Sequence, residues 1–330
     1  MLDTLNRDEF SVAALTSAMM KLPHTPQQIA RMGLFEEESI RTNSANLEEM
    51  AGSISLVPAQ SFGGSATQMT RDKAVLRNIQ VPHYPLEDTV MAAELIGKRA
   101  FGTDNEVETA QSAINKRLAK ARRSHEANIE FGRICALTGH LYDANGTDEL
   151  IDWFNVFGLS QTTVPFLGGS TTKVRNQILG GPVEAIENAL GADSYEYILA
   201  IHGAENFKEL IGHKDVENAY DRWNQGSFLR EDPRYVGFEF PRGVIHIQYR
   251  GKVGGVPFVK PNESHFVPVG VPGLFKTVFG PADFLEAVGE EGLPMWAKVE
   301  AMDFNRGAKI HTQSNALSYC SRPELLVKSA

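Results

Sequence analysis

Thr103-Asp104-Asn105-Glu106 stands at the head of a stretch in which Val107, Ala110, Ile114, Leu118 and Ala121 recur at spacings of three and four. The threonine and the glutamate form a capping box, each side chain satisfying a backbone amide that the first helical turn leaves free. The apolar stripe then shifts to Ala127, Phe131 and Ile134, no proline interrupts the chain from Leu86 to Val164, and Gly139 supplies a left-handed stop. The pattern predicts one helix over 104–138, about 50 Å long at 1.5 Å per residue. Its other face carries Lys116, Arg117, Lys120, Arg122 and Arg123, read as a solvated face in preference to a DNA-binding one.

Outward from this helix the chain changes character on both sides. Upstream, Ile54-Ser55-Leu56-Val57 and Ile79-Gln80-Val81 are short strand candidates edged by Pro58, Pro82 and Pro85, with Phe62-Gly63-Gly64 between them. Together they read as a long hairpin with little core of its own, a unit that is marginal in water unless something covers it. Further upstream, Phe10, Ala13, Leu15 and Met19 are spaced as a helix, and Thr25-Pro26-Gln27-Gln28 reads as the start of another, leading to Ile29, Met32 and Phe35. These pieces form either a loosely packed helical N-terminus or an arm that docks on a neighbour.

Downstream, Ala144-Asn145-Gly146-Thr147 between apolar runs marks a hairpin, the second run being Leu150 to Phe157, and Gly168-Gly169-Ser170 marks a boundary. Beyond it helices and strands alternate. A helix is expected from Pro182 to Gly191, a buried strand over Tyr197 to Ile201, helical pieces at Phe207, Leu210, Val216 and Tyr220, and strands at Val244 to Tyr249, Met295 to Val299 and Lys309 to Leu317.

Composition narrows the function. The chain has 330 residues, 42% hydrophobic and 22% charged, with a net charge of −9. That is an ordinary globular balance, and the negative sign argues against a surface built to grip phosphates. Cys135 and Cys320 alone suggest reduced thiols rather than a disulfide framework. Without a signal pattern near Met1 or an apolar window long enough to span a bilayer, the expectation is a product of the cytoplasm.

The search for chemistry finds no pattern. The histidines form no His-Glu-x-x-His or His-x-His, and neither cysteine has a partner at ligand spacing, so no metal site is expected. Ser53, Ser65, Ser160 and Ser170 lie near glycines without completing Gly-x-Ser-x-Gly. Gly169-Ser170-Thr171-Thr172-Lys173 lacks the glycine and hydroxyl residue that flank a phosphate-loop lysine. Gly203 could open an anion-binding helix, but Glu205 would repel the anion. Asp148, Glu149 and Asp152 cluster without establishing an acid/base pair. The sequence therefore yields no catalytic, cofactor-binding or metal residues, no cofactor and no enzyme activity.

A series of segments carries a resemblance. It runs from Val81-Pro-His-Tyr-Pro-Leu-Glu-Asp-Thr89 and Phe101-Gly-Thr103 through Arg123-Ser-His125, Ala136-Leu-Thr-Gly139 and Asp143-Ala-Asn-Gly-Thr147. It continues through Phe266-Val-Pro-Val-Gly-Val-Pro-Gly-Leu-Phe275, Phe279-Gly-Pro-Ala-Asp-Phe-Leu-Glu-Ala-Val288 and Gly292-Leu-Pro-Met-Trp-Ala-Lys298, and ends in His311-Thr-Gln-Ser-Asn-Ala-Leu317 and Arg322-Pro-Glu-Leu-Leu-Val327. In this order, over residues 40–328, the chain resembles the lambda-type bacteriophage major capsid protein E family. Trp296, where a smaller aromatic is expected, and Ala192 to Ser194 depart from the pattern, and the first 40 residues match poorly.

The resemblance implies an α+β, HK97-like capsid fold. Its parts would be an N-terminal arm (1–45), an extended loop (46–95), a peripheral domain (96–167 and 296–330) with the spine helix at 104–138, and an axial domain (168–295). The C-terminal strand would return to the peripheral sheet. The implied function is a self-assembling shell subunit that forms hexamers and pentamers of an icosahedral head around double-stranded DNA. It would be made and assembled in the host cytoplasm and act in the virion. Its partners would be further copies of itself, with scaffold, portal and decoration proteins, and no membrane. Gly63-Gly64 and Gly168-Gly169 are expected to act as hinges, and the acidic balance suggests a lumen that does not grip the genome. An α/β enzyme and a cellular nanocompartment shell of the same fold are the rival readings.

Overall fold

The computed structural model describes residues 11–22, 27–48, 76–96, 110–167, 173–191, 193–217, 237–253 and 255–330. In chain order, helices α1 (Val12–Lys21) and α2 (Gln28–Met32) precede strands β1 (Glu36–Ser39), β2 (Ser44–Glu48), β3 (Leu76–Gln80) and β4 (Tyr84–Met91). Then come α3 (Ala92–Leu95), the long α4 (Ala110–Thr138), β5 (His140–Tyr142), β6 (Glu149–Asp152), α5 (Trp153–Phe157) and β7 (Thr162–Val164). Next are α6 (Val174–Ile178), α7 (Glu184–Leu190), β8 (Tyr197–His202), α8 (Ala204–Gly212), β9 (Phe238–Glu239), β10 (Val244–Gln248), β11 (Lys252–Val253) and β12 (Val256–Pro257). The chain closes with β13 (Ser264–Val269), β14 (Phe275–Phe279), β15 (Trp296–Ala301), β16 (Gly307–Ser314), β17 (Ala316–Cys320) and β18 (Val327–Ser329).

The expected long helix is α4, whose 29 described residues span about 43 Å. Its proposed cap at Thr103–Glu106 lies outside the described residues. Its end is as expected: Gly139 has φ +86, and a Cβ there would meet Phe154 at 2.2 Å. The stripe shift along α4 reflects two different partners. Ile114, Leu118 and Ala121 pack with Leu15 and Met19 of α1 and with Val90, Ala297, Val299 and Ile310 of the sheet β15-β16-β4. Further along, Ile134 and Leu137 pack with Leu199, Ile201 and Val267. Cys135 joins Trp153, Val278 and Leu317 in another cluster, beside the sheet β1-β14-β17.

The second half is built on a mixed sheet in the order β7-β18-β13-β8-β10-β9. Strand β8 explains why Tyr197 to Ile201 is apolar without alternation. Leu199 and Ile201 face the cluster that includes the end of α4, while Ile198 and Ala200 face Val174, Ile178, Ile186 and Leu210 on the helical side. A strand covered on both faces has no polar side to show.

The fold departs from the sequence reading in several places. The helix expected from Pro182 begins at Val174 and runs through a π turn at Leu179–Val183 with Pro182 inside it. Proline removes one amide and its ring crowds the preceding turn, and a wider turn accommodates both. Leu150 to Phe157 is strand only to Asp152, whose carboxylate accepts from the amides of Phe154 and Asn155 and starts α5. Lys309 to Leu317 breaks at Asn315 into β16 and β17. The helix start expected at Thr25 lies at Gln28, and Gln27 makes no side-chain cap. The late strands expected at Met295 to Val299 and Lys309 to Leu317 do pair beside β4, as β15 and β16, and a further short strand the sequence did not announce, β18, pairs with β13 and β7 in the six-stranded sheet.

Two buried charges fasten the N-terminal helices to α4. Glu130 accepts from the amides of Ile29 at 2.7 Å and Ala30 at 3.1 Å, supplying the cap that α2 lacks. Tyr249 donates to the same carboxylate at 3.1 Å. Arg122, one of the cations read as a solvated face, is only 5% exposed. Its Nη1 donates to the carbonyls of Met19, Met20 and Leu22 at 2.7, 2.6 and 2.5 Å, closing the C-terminus of α1. Arg117 also turns inward, to Asp88 and Glu94.

Strands β2 and β3 pair antiparallel from Ser44↔Gln80 to Glu48↔Leu76, forming the base of the expected hairpin. The strand expected at Ile54–Val57 and both glycine pairs, Gly63-Gly64 and Gly168-Gly169, lie outside the described residues.

Candidate assembly surface

Several of the described residues that could carry chemistry are engaged in structural contacts. Gly203 precedes α8, but that helix end holds no open anion site. Glu205 and Asn206 donate their amides to the Pro261 carbonyl at 3.1 and 3.2 Å. A Cβ on Gly203 would lie 2.0 Å from the Lys260 carbonyl oxygen, so glycine is required there by the close approach of backbone. Gly203→Ala is therefore expected to lower the yield of folded chain sharply, read as loss of the soluble fraction and of the cooperative unfolding transition. An unchanged transition would contradict this packing.

Ser160 is exposed after α5; Ser53, Ser65 and Ser170 lie outside the described residues, as does the 169–172 segment. Cys135 and Cys320 are buried and free. Burial pushes the Cys135 thiol up to about 12 and raises that of Cys320 as well, so neither is a ready nucleophile. A cleft of about 350 Å³ beside β5 and β12 includes Cys135, His140, Glu263, His265 and Lys328. Glu263 is drawn down to about 2 by His265 and Lys328, and it accepts from Lys328 at 2.8 Å.

Of the carboxylates Asp148, Glu149 and Asp152, the fold joins the last two to His140. Their ligand atoms and that of His140 lie within 4.8 Å of one another. His140 Nδ1 bonds Glu149 at 2.7 Å, and Asp152 caps α5, so the trio braces the β5–β6 hairpin. Asp148 bonds Asn145 in the turn. His140 escaped the sequence search because the grouping forms across strands, where His140 faces Asp152.

A buried chain of histidines crosses the six-stranded sheet. Asn206 donates to Ser264 Oγ at 2.9 Å, Ser264 meets His202 Nδ1 at 2.7 Å, His202 Nε2 meets His246 Nδ1 at 2.7 Å, and His246 Nε2 meets the Phe240 carbonyl at 2.5 Å. The carbonyl can only accept, so His246 carries its proton on Nε2, His202 on Nε2, and Ser264 donates to His202. With both rings neutral every link is satisfied. Burial lowers His202 well below its ordinary value and His246 to about 4.

The exposed apolar side chains concentrate instead at the two ends of the sheet β15-β16-β4. At one end, the turn Asp303–Asn305 joins β15 to β16 and holds up Phe304, 90% exposed. Phe304 and Asn305 have φ of +56 and +55, a region that bulky side chains rarely adopt. The Ala92 amide bonds the Arg306 carbonyl at 2.9 Å, which sets α3 and the 80% exposed Ile96 after the same end of the sheet. At the other end, Trp296 packs with Ala282 and Ala287. Gln313 bonds Asp283 at 2.8 Å, and Lys298 bonds Glu286 at 2.8 Å. That shoulder shows Leu285 at 91% and Val288 at 76% exposure. Neither site shows in the sequence: Phe304 stands between Asp303 and Asn305, Leu285 in a short apolar run, and nothing local says that the fold leaves them uncovered.

An α+β chain with a long spine helix, a hairpin base and a mixed six-stranded sheet has the HK97-like capsid fold. Solved structures agree in fold. A chain of an E. coli CFT073 prophage described as a capsid protein superposes with a TM-score of 0.58 at 15% identity, over 96% of this chain and 98% of that one. The capsid of Ralstonia phage GP4 gives 0.53 at 9% identity over 89% and 86%. The family model for phage major capsid protein E matches residues 11–330, and the chain belongs to that family. The major capsid protein of Pseudomonas phage KPP10 is 30% identical over 98% of this chain and 97% of its own length. That of Salmonella phage Felix O1 is 24% identical over 99% and 98%. The chain is thus a structural protein of the phage head and not an enzyme.

Proposed function

We propose that this chain tiles an icosahedral head as hexamers and pentamers around double-stranded DNA, assembling in the host cytoplasm with scaffold, portal and decoration proteins. The observation that carries this reading is the placement of the exposed apolar side chains. The described interior is buried in several apolar clusters, yet Phe304, Leu285, Val288 and Ile96 remain 76–91% exposed at the ends of one sheet. Surfaces at opposite ends of a subunit make head-to-tail contacts, which close into rings or continue as a lattice.

In this reading 1–45 is the arm, 46–95 the extended loop, 96–167 with 296–326 the peripheral domain, and 168–295 with β18 the axial domain. Charge supports a passive container: with a net charge of −9, the wall holds DNA by enclosure rather than by phosphate contacts. Sedimentation of the chain co-expressed with its neighbouring head genes is expected to give particles far larger than a small oligomer, with little change on DNase treatment. Particles that fall apart when DNA is digested would sink the passive-container reading.

A further inference from the structure

We infer that the Phe304 turn of one subunit seats on the Leu285–Val288 shoulder of a second copy of this chain, an inference that rests on the shell-forming reading above. The two surfaces cannot cover each other within one chain. The turn extends beyond the Ala301↔Ala308 pair, while the shoulder packs over Trp296 and reaches the Lys298↔His311 pair through Glu286 and Phe284. That pair lies three residues short of Ala301, roughly 10 Å away at strand rise, with the Phe304 turn further out still.

The shoulder rim is acidic, and the turn sets an arginine beside its exposed ring. The shoulder segment carries Asp283, Glu286, Glu290 and Glu291; Lys298 bonds Glu286, and Arg41 bonds Glu291 at 2.9 Å. Its balance is acidic. The turn carries Arg306, whose guanidinium lies 5.4 Å from the Phe304 ring centre, against the single acid Asp303. An aromatic anchor beside arginine, set against an apolar shoulder with an acidic rim, is the composition of an interface hot spot. Its left-handed backbone is a conformation proteins keep where function requires it.

The test has two arms, both on particles of the full chain. In the first, Phe304→Cys and Leu285→Cys are combined and treated with a short bismaleimide. Cys135 and Cys320 are buried and stay silent. A ladder of cross-linked chains in the double variant, with at most dimers in either single variant, is expected; particles of the double variant whose chains stay monomeric on a denaturing gel overturn the pairing. The second arm holds if the cysteine variant fails to assemble. Phe304→Lys meets the acidic shoulder and should leave at least tenfold more particle than Phe304→Glu, and Leu285→Glu should likewise exceed Leu285→Lys. Equal losses, or the reverse order, overturn the pairing while wild-type particles leave the capsid reading intact. A wild-type chain that never forms particles overturns the capsid reading, and the pairing with it.

Discussion

Taking the folded chain from pH 6.5 to pH 4 is expected to cost it several kcal/mol of stability, through histidines that the fold keeps neutral. His125 and His246 are 2% and 1% exposed, and burial holds both at about 4. His311 adds to the effect at His125. The unfolded chain protonates its histidines near 6.5. Between 6.5 and 4 it therefore takes up protons that the folded chain refuses, and stability falls as pH falls. Each of the two contributes about 3 kcal/mol to that loss, and His202 acts in the same direction.

The structural reason is local at each site. His125 Nε2 bonds Thr312 Oγ1 at 3.0 Å, and its Nδ1 has no hydrogen-bond partner, so a second proton would be buried unpaired. His246 already gives its N–H to Phe240, so a proton on Nδ1 would force His202 to switch tautomer and would leave a charge buried with no acid beside it. Glu130 acts with the opposite sign, because burial raises it and folding then favours its protonated form on acidification. Urea unfolding midpoints between pH 7 and pH 4 measure the balance. His246→Gln should flatten the slope, and a wild-type midpoint that does not move between 6.5 and 4 would contradict the neutral histidine chain.

Replacing Arg122 by alanine is the second large effect. The guanidinium reaches three carbonyls of α1 and bonds Glu126 at 2.7 Å. Removing it takes a cation from the Glu126 carboxylate, 18% exposed, and a shared donor from the carbonyls. Breaking such a pair costs about 3–5 kcal/mol. Arg122→Lys should recover only part of it, because one ammonium lacks the fork that serves both partners. Hydrogen exchange over residues 12–22 should accelerate in the alanine variant, with Leu15 and Met19 leaving the core first. A variant within 0.5 kcal/mol of wild type, with α1 still protected, would show that α1 is held by its apolar face alone.

These residues also mark what the sequence could and could not convey. The long helix, its stop at Gly139, the Asn145-Gly146 turn and the doubly buried β8 are legible because they follow from local spacing. Arg122 was misread because its role depends on α1, a hundred residues away in the chain, and periodicity says nothing of distant partners. Pro182 was misread as a start because proline suits a first turn as well as a widened one. The last strand joins the six-stranded sheet through pairings with β13 and β7, which no local pattern encodes. The surface at Phe304 was invisible for a related reason: apolar character marks a residue for burial, and only the fold reveals that its own chain leaves it uncovered.

The central claim is that this chain is a shell subunit whose contacts are made between copies. Electron cryo-microscopy of the material it forms with its neighbouring head genes tests it most directly. The account predicts closed shells of repeated rings, with the Phe304 turn of each subunit covered by its neighbour. A discrete small oligomer that stays the same size at every concentration and forms no shell would contradict it.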